Sequence, residues 1–126
     1  MPKIKVLVVD DDPNIVEEFK EILEDHDFKV VTTFDGEQAL SLIHKGFEAI
    51  SFVLSDFVMP KMDGMQLYKE SQQYKIPFAI ISGFAAKLQQ DGAAQEQGLY
   101  IIPKPVKAQI LVKTITEAIE KAEESA

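Results

Sequence analysis

Three acidic residues and one lysine follow apolar, strand-like runs in this chain. They are Asp10 and Asp11 after the run 4–9, Asp56 just after the run 50–54, and Lys104 just after the run 99–102. If those runs are parallel neighbours in one sheet, three carboxylates and one ammonium group meet at a single edge. Carboxylates held this close repel one another, and a divalent metal with oxygen ligands relieves that repulsion. Such a site suits the binding and transfer of a phosphoryl group.

The size and composition of the chain fit a single acidic domain. Its 126 residues are enough for one core, so we expect residues 1–126 to form one domain with no second, output domain. The net charge of −8 argues against direct binding to nucleic acid or to anionic membranes. The chain has no cysteine, which excludes disulfides and thiolate metal sites. No signal peptide or membrane-spanning stretch is visible, so we expect a cytoplasmic location.

Five apolar runs alternate with five segments of helical spacing. The predicted strands are 3–9, 28–34, 50–54, 77–81 and 99–102, and the predicted helices begin at 13, 35, 65, 85 and 106. Asp35 and Gln38 resemble a capping box at the start of the second helix, and the third helix is predicted over 65–74. Pro60, Asp63 and Gly64 are interpreted as residues that shape the loop after Asp56. This alternation indicates an α/β protein with a three-layer (βα)5 fold, in which helices cover both faces of a five-stranded parallel sheet. The segment 85–97 contains few large apolar residues, so we expect it to form the least stable helix.

Four strings in this chain, VLVVDDDP, LSDFVMPKMDG, AIISGF and PKP, occur in order and at compatible spacing. Together they resemble the response-regulator receiver domain, and the resemblance covers essentially the whole chain. It implies a flavodoxin-like sheet with the strand order 2-1-3-4-5. It also implies a role in two-component signalling, in which a histidine kinase or a histidine phosphotransfer protein gives a phosphoryl group from a phosphohistidine to an aspartate.

The resemblance assigns the acidic residues to phosphorylation and metal binding. Asp56 matches the phospho-acceptor of the family. Asp10 and Asp11 match its acidic pair, and these residues are implied to bind Mg²⁺ together with Asp56 and the backbone carbonyl of Val58. The chemistry agrees, because Mg²⁺ takes oxygen ligands and a strand-end carboxylate can attack a phosphoryl group to form an acyl phosphate. We interpret Asp12 as the cap of the helix that follows.

The remaining site residues are also implied by the resemblance. Lys104 matches the lysine that contacts the phosphoryl oxygens, a task suited to a flexible ammonium group. Ser82 matches the hydroxyl residue that switches on phosphorylation, and Gly83 matches a small residue that leaves room for the phosphate. Pro105 matches a proline whose preceding peptide bond is often cis in the family.

Two features depart from the family pattern. An aromatic residue often lies three residues before the lysine, but here that position is Ile101 and the tyrosine is its neighbour Tyr100. Adjacent strand residues point to opposite faces, so Tyr100 cannot replace the missing ring. Val58 and Phe84 occupy positions that influence hydrolysis of the acyl phosphate in the family. Because their side chains cannot orient a water molecule by hydrogen bonding, we predict a long-lived phosphorylated state.

The resemblance predicts that phosphorylation changes one surface of the domain. This signalling surface consists of the helix 85–97, the strand 99–102 and the helix 106–124. It would bind a downstream protein that the sequence does not identify, and the resemblance is compatible with a homodimer through the same surface. Any catalysis is expected to be limited to the phosphorylation of the chain itself and slow autodephosphorylation.

Three other functions compete with this interpretation. A phosphatase of the haloacid-dehalogenase type would use Asp10 as nucleophile and Asp12 as acid/base, but Asn14 and the short chain depart from that pattern. A receiver-like interaction module that is never phosphorylated would usually lack Asp56 or Lys104, and both are present. A flavin-binding protein would need a phosphate-binding loop after the first strand, where this chain is strongly anionic.

Overall fold

A computed structural model of the chain describes residues 4–46, 49–83, 87–88 and 98–124. The strands are β1 (Lys5–Val9), β2 (Lys29–Thr33), β3 (Phe52–Asp56), β4 (Phe78–Ser82) and β5 (Leu99–Pro103). The helices are α1 (Pro13–Asp25), α2 (Gly36–Gly46), α3 (Gly64–Ser71) and α4 (Ala108–Glu124), with a 3₁₀ turn at Gln72–Tyr74. The predicted helix 85–97 lies outside the described residues, except for Lys87 and Leu88. Among the described helices, none has the length and apolar character needed to cross a bilayer.

The five strands form one parallel sheet in the order β2-β1-β3-β4-β5. The fold class predicted from the sequence and the strand order implied by the resemblance are therefore confirmed. In a parallel sheet, the carboxyl ends of all strands lie at the same edge. The loops that follow β1, β3, β4 and β5 are thus brought side by side.

Each face of the sheet has its own apolar core. Val6 and Val8 of β1 pack under α1 and α4, whereas Leu7 and Val9 pack under α2 and α3. The central strands β3 and β4 are buried along their whole length. This burial is the reason that these strands read as continuous apolar runs in the sequence.

Tyr100 and Ile101 of β5 lie on opposite faces of the sheet, as predicted. Tyr100 packs against the core under α1 and α4, and Ile101 packs against the core under α2 and α3. The ring of Tyr100 is therefore directed away from the face on which Ile101 lies.

The starts of α1 and α2 are fixed by side-chain caps. The Asn14 N–H donates to Oδ1 of Asp12 at 2.9 Å, and the Gln38 N–H donates to Oδ1 of Asp35 at 2.7 Å. The Gln38 side chain in turn accepts from the Phe34 N–H at 3.2 Å. In the standard capping box the Gln38 side chain would accept from the N–H of the cap residue Asp35. Here it accepts from the preceding residue, Phe34. These bonds satisfy backbone N–H groups at the starts of α1 and α2.

Candidate functional site

Four of the predicted site residues converge at the carboxyl edge of the sheet. Asp10 and Asp11 follow β1, Asp56 is the last residue of β3, and Lys104 follows β5. One carboxylate oxygen from each of the three aspartates lies within 4.8 Å of the others. The Lys104 Nζ lies 2.9 Å from Oδ1 of Asp56. The arrangement predicted from the strand ends is therefore present in the structure.

The three aspartates differ in their exposure to solvent. Asp10 is 5% exposed and Asp56 is 8% exposed, whereas Asp11 lies at the surface. The Asp12 N–H donates to Oδ1 of Asp10 at 2.9 Å, and this bond holds the Asp10 carboxylate at the edge of the cluster. The site is thus a pocket with two desolvated carboxylates and one accessible carboxylate.

Burial raises the pKa of Asp10 from its ordinary value of 3.8 to about 6. Desolvation of the charged form is the largest cause, and the negative charges of Asp56 and Asp11 add to it. The hydrogen bond from the Asp12 backbone and the positive charge of Lys104 act in the opposite direction. The native protein therefore holds one carboxylate that is costly to ionise in the absence of a cation.

These observations fit a hard divalent cation. The donor set consists of carboxylate oxygens from three side chains that lie within reach of a common ion. Mg²⁺ accepts a few carboxylates and retains several of its own water molecules. The surface position of Asp11 would leave room for those water molecules. The raised pKa of Asp10 also agrees with a cation site, because a bound cation would favour the ionised form of this carboxyl group.

We expect Asp10→Asn to stabilise the metal-free protein at neutral pH. The amide keeps an oxygen that can accept from the Asp12 N–H and removes the desolvated charge. A rise of pKa from 3.8 to about 6 corresponds to a cost of about 2–3 kcal/mol for the ionised group. Because the pKa is higher in the folded state, stability decreases as pH rises through about 4 to 6. The gain in the free energy of unfolding is therefore expected at pH 7.5 and should disappear near pH 4.

Urea unfolding in the presence of a chelator measures this effect. Asp12→Asn is the matched control, because it removes one charge from the same loop and retains an oxygen that caps α1. Equal unfolding midpoints for wild type and Asp10→Asn at pH 7.5 would contradict the argument.

Lys104 is held between two prolines and next to β4. The peptide bond between Lys104 and Pro105 is cis. The backbone N–H of Lys104 donates to the carbonyl oxygen of Ser82 at 3.1 Å. The Lys104 side chain remains about half exposed, at 48%. Its ammonium group can consequently move between the Asp56 carboxylate and a group bound in front of it.

Ser82, Gly83 and Val58 lie at or just after the carboxyl ends of β3 and β4. Ser82 is the last residue of β4 and is 2% exposed. A Cβ added at the exposed residue Gly83 would meet no atom of the described residues within 4 Å. The Val58 side chain is 61% exposed and follows Asp56 by two residues. The structure thus places these residues at the same edge of the sheet as the acidic cluster. Their roles remain predictions.

The loop after Asp56 is closed by a tight contact with the start of α3. The Gly64 N–H donates to the carbonyl oxygen of Phe57 at 2.8 Å. A Cβ at Gly64 would lie 2.5 Å from the carbonyl oxygen of Asp56. Ser55 Oγ donates to that same oxygen at 2.9 Å. Gly64 and Ser55 therefore position the backbone of Asp56. The sequence indicated only that Gly64 shapes the loop, and it gave no signal for Ser55.

The acidic loop after β1 does not have the arrangement needed by the haloacid-dehalogenase alternative. That chemistry needs Asp10 and Asp12 to face one substrate. Here Oδ1 of Asp12 accepts from the Asn14 N–H, so Asp12 caps α1 as predicted. The acidic partner of Asp10 is instead Asp56, on the neighbouring strand.

The comparison with known families identifies this arrangement. The family model described as the response regulator receiver domain matches residues 6–116. The chain belongs to this family. Among solved structures, a response regulator receiver domain protein from Clostridium thermocellum superposes with a TM-score of 0.87, at 27% identity and over 98% of this chain and 99% of that one. The chemotaxis protein CheY4 of Vibrio cholerae superposes with a TM-score of 0.80, at 29% identity and over 93% and 99% of the two chains.

Curated relatives are longer than this receiver domain. The transcriptional regulatory protein GlrR of Escherichia coli K12 is 32% identical over 93% of this chain and 26% of its own length. The transcriptional regulatory protein CpxR of Escherichia coli K12 is 30% identical over 94% of this chain and 50% of its own length. The chain thus spans about a quarter to a half of these two relatives. The chain is a receiver domain of the kind found in two-component response regulators, with an acidic pocket that could bind a metal.

Proposed function

We propose that this receiver domain accepts a phosphoryl group on Asp56 in a Mg²⁺-dependent reaction. The observation that supports this most is the arrangement of one buried carboxylate, Asp56, beside both an ammonium group and an acidic pair. Lys104 Nζ lies 2.9 Å from the Asp56 carboxylate, and Asp10 and Asp11 complete the cluster. The proposed donor is a phosphohistidine on a histidine kinase or on a histidine phosphotransfer protein.

The proposed reaction is an in-line displacement at phosphorus. A carboxylate oxygen of Asp56 forms a bond to phosphorus, while the bond between phosphorus and the histidine nitrogen breaks and leaves its electron pair on the imidazole. The product is a mixed anhydride of Asp56. Burial of Asp56 supports this role, because a desolvated carboxylate is a better nucleophile than a solvated one.

Charge neutralisation is the main problem of this reaction, because an anionic nucleophile must approach an anionic phosphoryl group. Asp10, Asp11 and Asp56 would hold Mg²⁺, together with the backbone carbonyl that the family pattern implies for Val58. When bound, the ion supplies positive charge next to the phosphoryl oxygens. Lys104 is placed to contribute a second positive charge by leaving Asp56 for the transferred group. The Ser82 hydroxyl is proposed to donate to a phosphoryl oxygen.

The phosphorylated state is proposed to act through the signalling surface. Lys104 precedes α4, and its backbone is bonded to Ser82 at the end of β4, so both residues are coupled to elements of that surface. New contacts to a phosphoryl group would shift their positions. Ile101 in place of an aromatic residue means that this shift does not include rotation of a ring at that position. The downstream partner stays unspecified, and a homodimer in the phosphorylated state is part of the proposal.

Intact-mass measurement tests the proposal. The purified protein is incubated with a small-molecule phosphodonor and Mg²⁺, in parallel with a sample that contains a chelator. We expect one adduct with the mass of one phosphoryl group in the first sample and none in the second. A protein that stays unmodified with Mg²⁺ and donor would indicate a phosphorylation-independent interaction module instead. Gel filtration of the modified and unmodified samples then tests dimerisation.

We predict that the acyl phosphate, once formed, is long-lived. The side chain two residues after Asp56 is the exposed, apolar Val58, which cannot orient an attacking water molecule. Phe84, the other apolar residue expected at the site, lies outside the described residues. We expect Val58→Gln to accelerate loss of the adduct about tenfold, because an amide can hold the water in place. Ile110→Gln, at an exposed residue of α4, is the control. Loss of the wild-type adduct within seconds in Mg²⁺ without a phosphatase would contradict the prediction.

A further inference from the structure

An open groove of about 750 Å³ runs between α2 and the edge strand β2. Its volume lies in the range of ligand-binding clefts. The apolar part of the lining comes from Val31, Leu42 and Ile50. Val31 and Leu42 are only half-buried and lie at the margin of the core under α2 and α3. The apolar lining thus comes from β2, from α2 and from the segment before β3, and it includes no residue of the acidic cluster.

The two ends of the groove carry opposite charges. Lys5 and Lys45 line the end at which β2 begins, since Lys5 is paired in register with Lys29. Glu37, in the first turn of α2, lines the end at which β2 stops. A ligand that fits this groove is therefore extended, apolar along its length, negative at the lysine end and positive at the Glu37 end.

The outer edge of β2 presents backbone groups that have no partner among the residues that the structure describes. The Lys29 N–H donates to Ile4, and the Thr33 carbonyl accepts from the Asp10 N–H, so these alternate residues of β2 face β1. In a parallel ladder the residues between them, Val30 and Thr32, direct their N–H and C=O groups outward. No hydrogen bond to these groups is found among the described residues. Such an edge is a template for another extended segment.

One buried polar atom in the groove also lacks a partner. Thr33 lines the groove and is only 5% exposed. Its Oγ1 has no hydrogen-bond partner within the part of the chain that the structure describes. Buried hydroxyl groups are normally hydrogen-bonded, so this one has an unused capacity to donate to or accept from a polar group that enters the groove.

We propose that this groove binds an extended peptide segment of a partner protein, which adds to β2 as an antiparallel strand. In that direction the amino end of the segment lies near Glu37, and its carboxyl end, or an acidic residue, lies near Lys5 and Lys45. Backbone bonds to Val30 and Thr32 supply affinity, and alternate apolar side chains enter the groove. The proposal does not rest on phosphorylation of Asp56.

Amide hydrogen exchange with a designed peptide tests the proposal. The probe is a synthetic peptide of alternating valine and threonine, with lysine at its amino end and glutamate at its free carboxyl end. We expect the amides of Val30 and Thr32 to exchange at least about tenfold more slowly at saturating peptide. A second peptide with lysine and glutamate exchanged should bind about fivefold more weakly.

Two charge-reversal variants, one inside the groove and one outside it, test the role of the lysine end. Lys45→Glu should weaken binding of the first peptide and strengthen binding of the second. Lys69→Glu changes an exposed lysine in the last turn of α3, outside the groove, and should leave the binding of both peptides unchanged. Unchanged exchange of Val30 and Thr32, or equal effects of the two substitutions, would overturn the proposal. Protection of these amides in the protein alone, with dimers in sedimentation, would also overturn it, because the edge would then bind a second copy of the chain.

Discussion

Asp56→Asn is expected to abolish formation of the phosphoryl adduct. The amide has the shape of the carboxylate but is not a nucleophile at neutral pH, so the displacement at phosphorus has no attacking atom. The substitution also removes the negative charge that pairs with Lys104 and lowers the charge of the acidic cluster. Intact mass after incubation with phosphodonor and Mg²⁺ should show only unmodified protein.

Asp63→Asn is the control that belongs with this variant. Asp63 is an exposed aspartate of the same loop, and its Oδ1 accepts from the Gln66 N–H at 2.8 Å to cap α3. Asparagine is also a good cap, so this variant should fold and accept one phosphoryl group. An adduct of undiminished yield on Asp56→Asn would place the acceptor elsewhere in the chain and would contradict the proposed function.

The sequence was most informative where burial dictates residue type. The strands β3 and β4 are buried on both faces, and their apolar runs predicted them to within about two residues at each end. The third helix was predicted less accurately. The spacing predicted a helix over 65–74, but α3 ends at Ser71 and continues as the 3₁₀ turn Gln72–Tyr74. Lys75 then adopts a left-handed conformation with φ of 57°. Helical spacing alone cannot distinguish a last α-helical turn from a tightened one.

The acidic cluster could be predicted because parallel strands end at one edge. Its energetics could not be predicted in this way. The raised pKa of Asp10 depends on how completely neighbouring elements cover it, and the 2.9 Å contact of Lys104 with Asp56 depends on the path of the chain after β5. The roles of Ser82 and Val58 rest on resemblance to the family, because their residue types alone suit many sites. Sequence therefore identified the participants, and the structure provides their environment.

Gly64→Ala is expected to impair both stability and phosphorylation. The added Cβ would lie 2.5 Å from the carbonyl oxygen of Asp56 and 3.1 Å from Cα of Phe57, and both are backbone atoms. Relief of this overlap requires the backbone of Asp56 or the start of α3 to move. Overpacking of this kind typically costs about 1–3 kcal/mol in the free energy of unfolding. A displaced Asp56 should also slow phosphorylation about 10–100-fold, because reacting groups must be held to within a fraction of an ångström.

Gly36→Ala separates a local clash from the general cost of filling a buried glycine. Gly36 is also the buried first residue of a helix, and its added Cβ would lie 2.9 Å from both Cβ and Sδ of Met62. Relief of this overlap displaces Met62 and not the carbonyl group of Asp56, so we expect a comparable loss of stability but a rate of phosphorylation close to that of the wild type. Urea unfolding and the time course of adduct formation measure the two effects. If Gly36→Ala slowed phosphorylation as much as Gly64→Ala, the contact between Gly64 and the Asp56 backbone would not be what positions the acceptor.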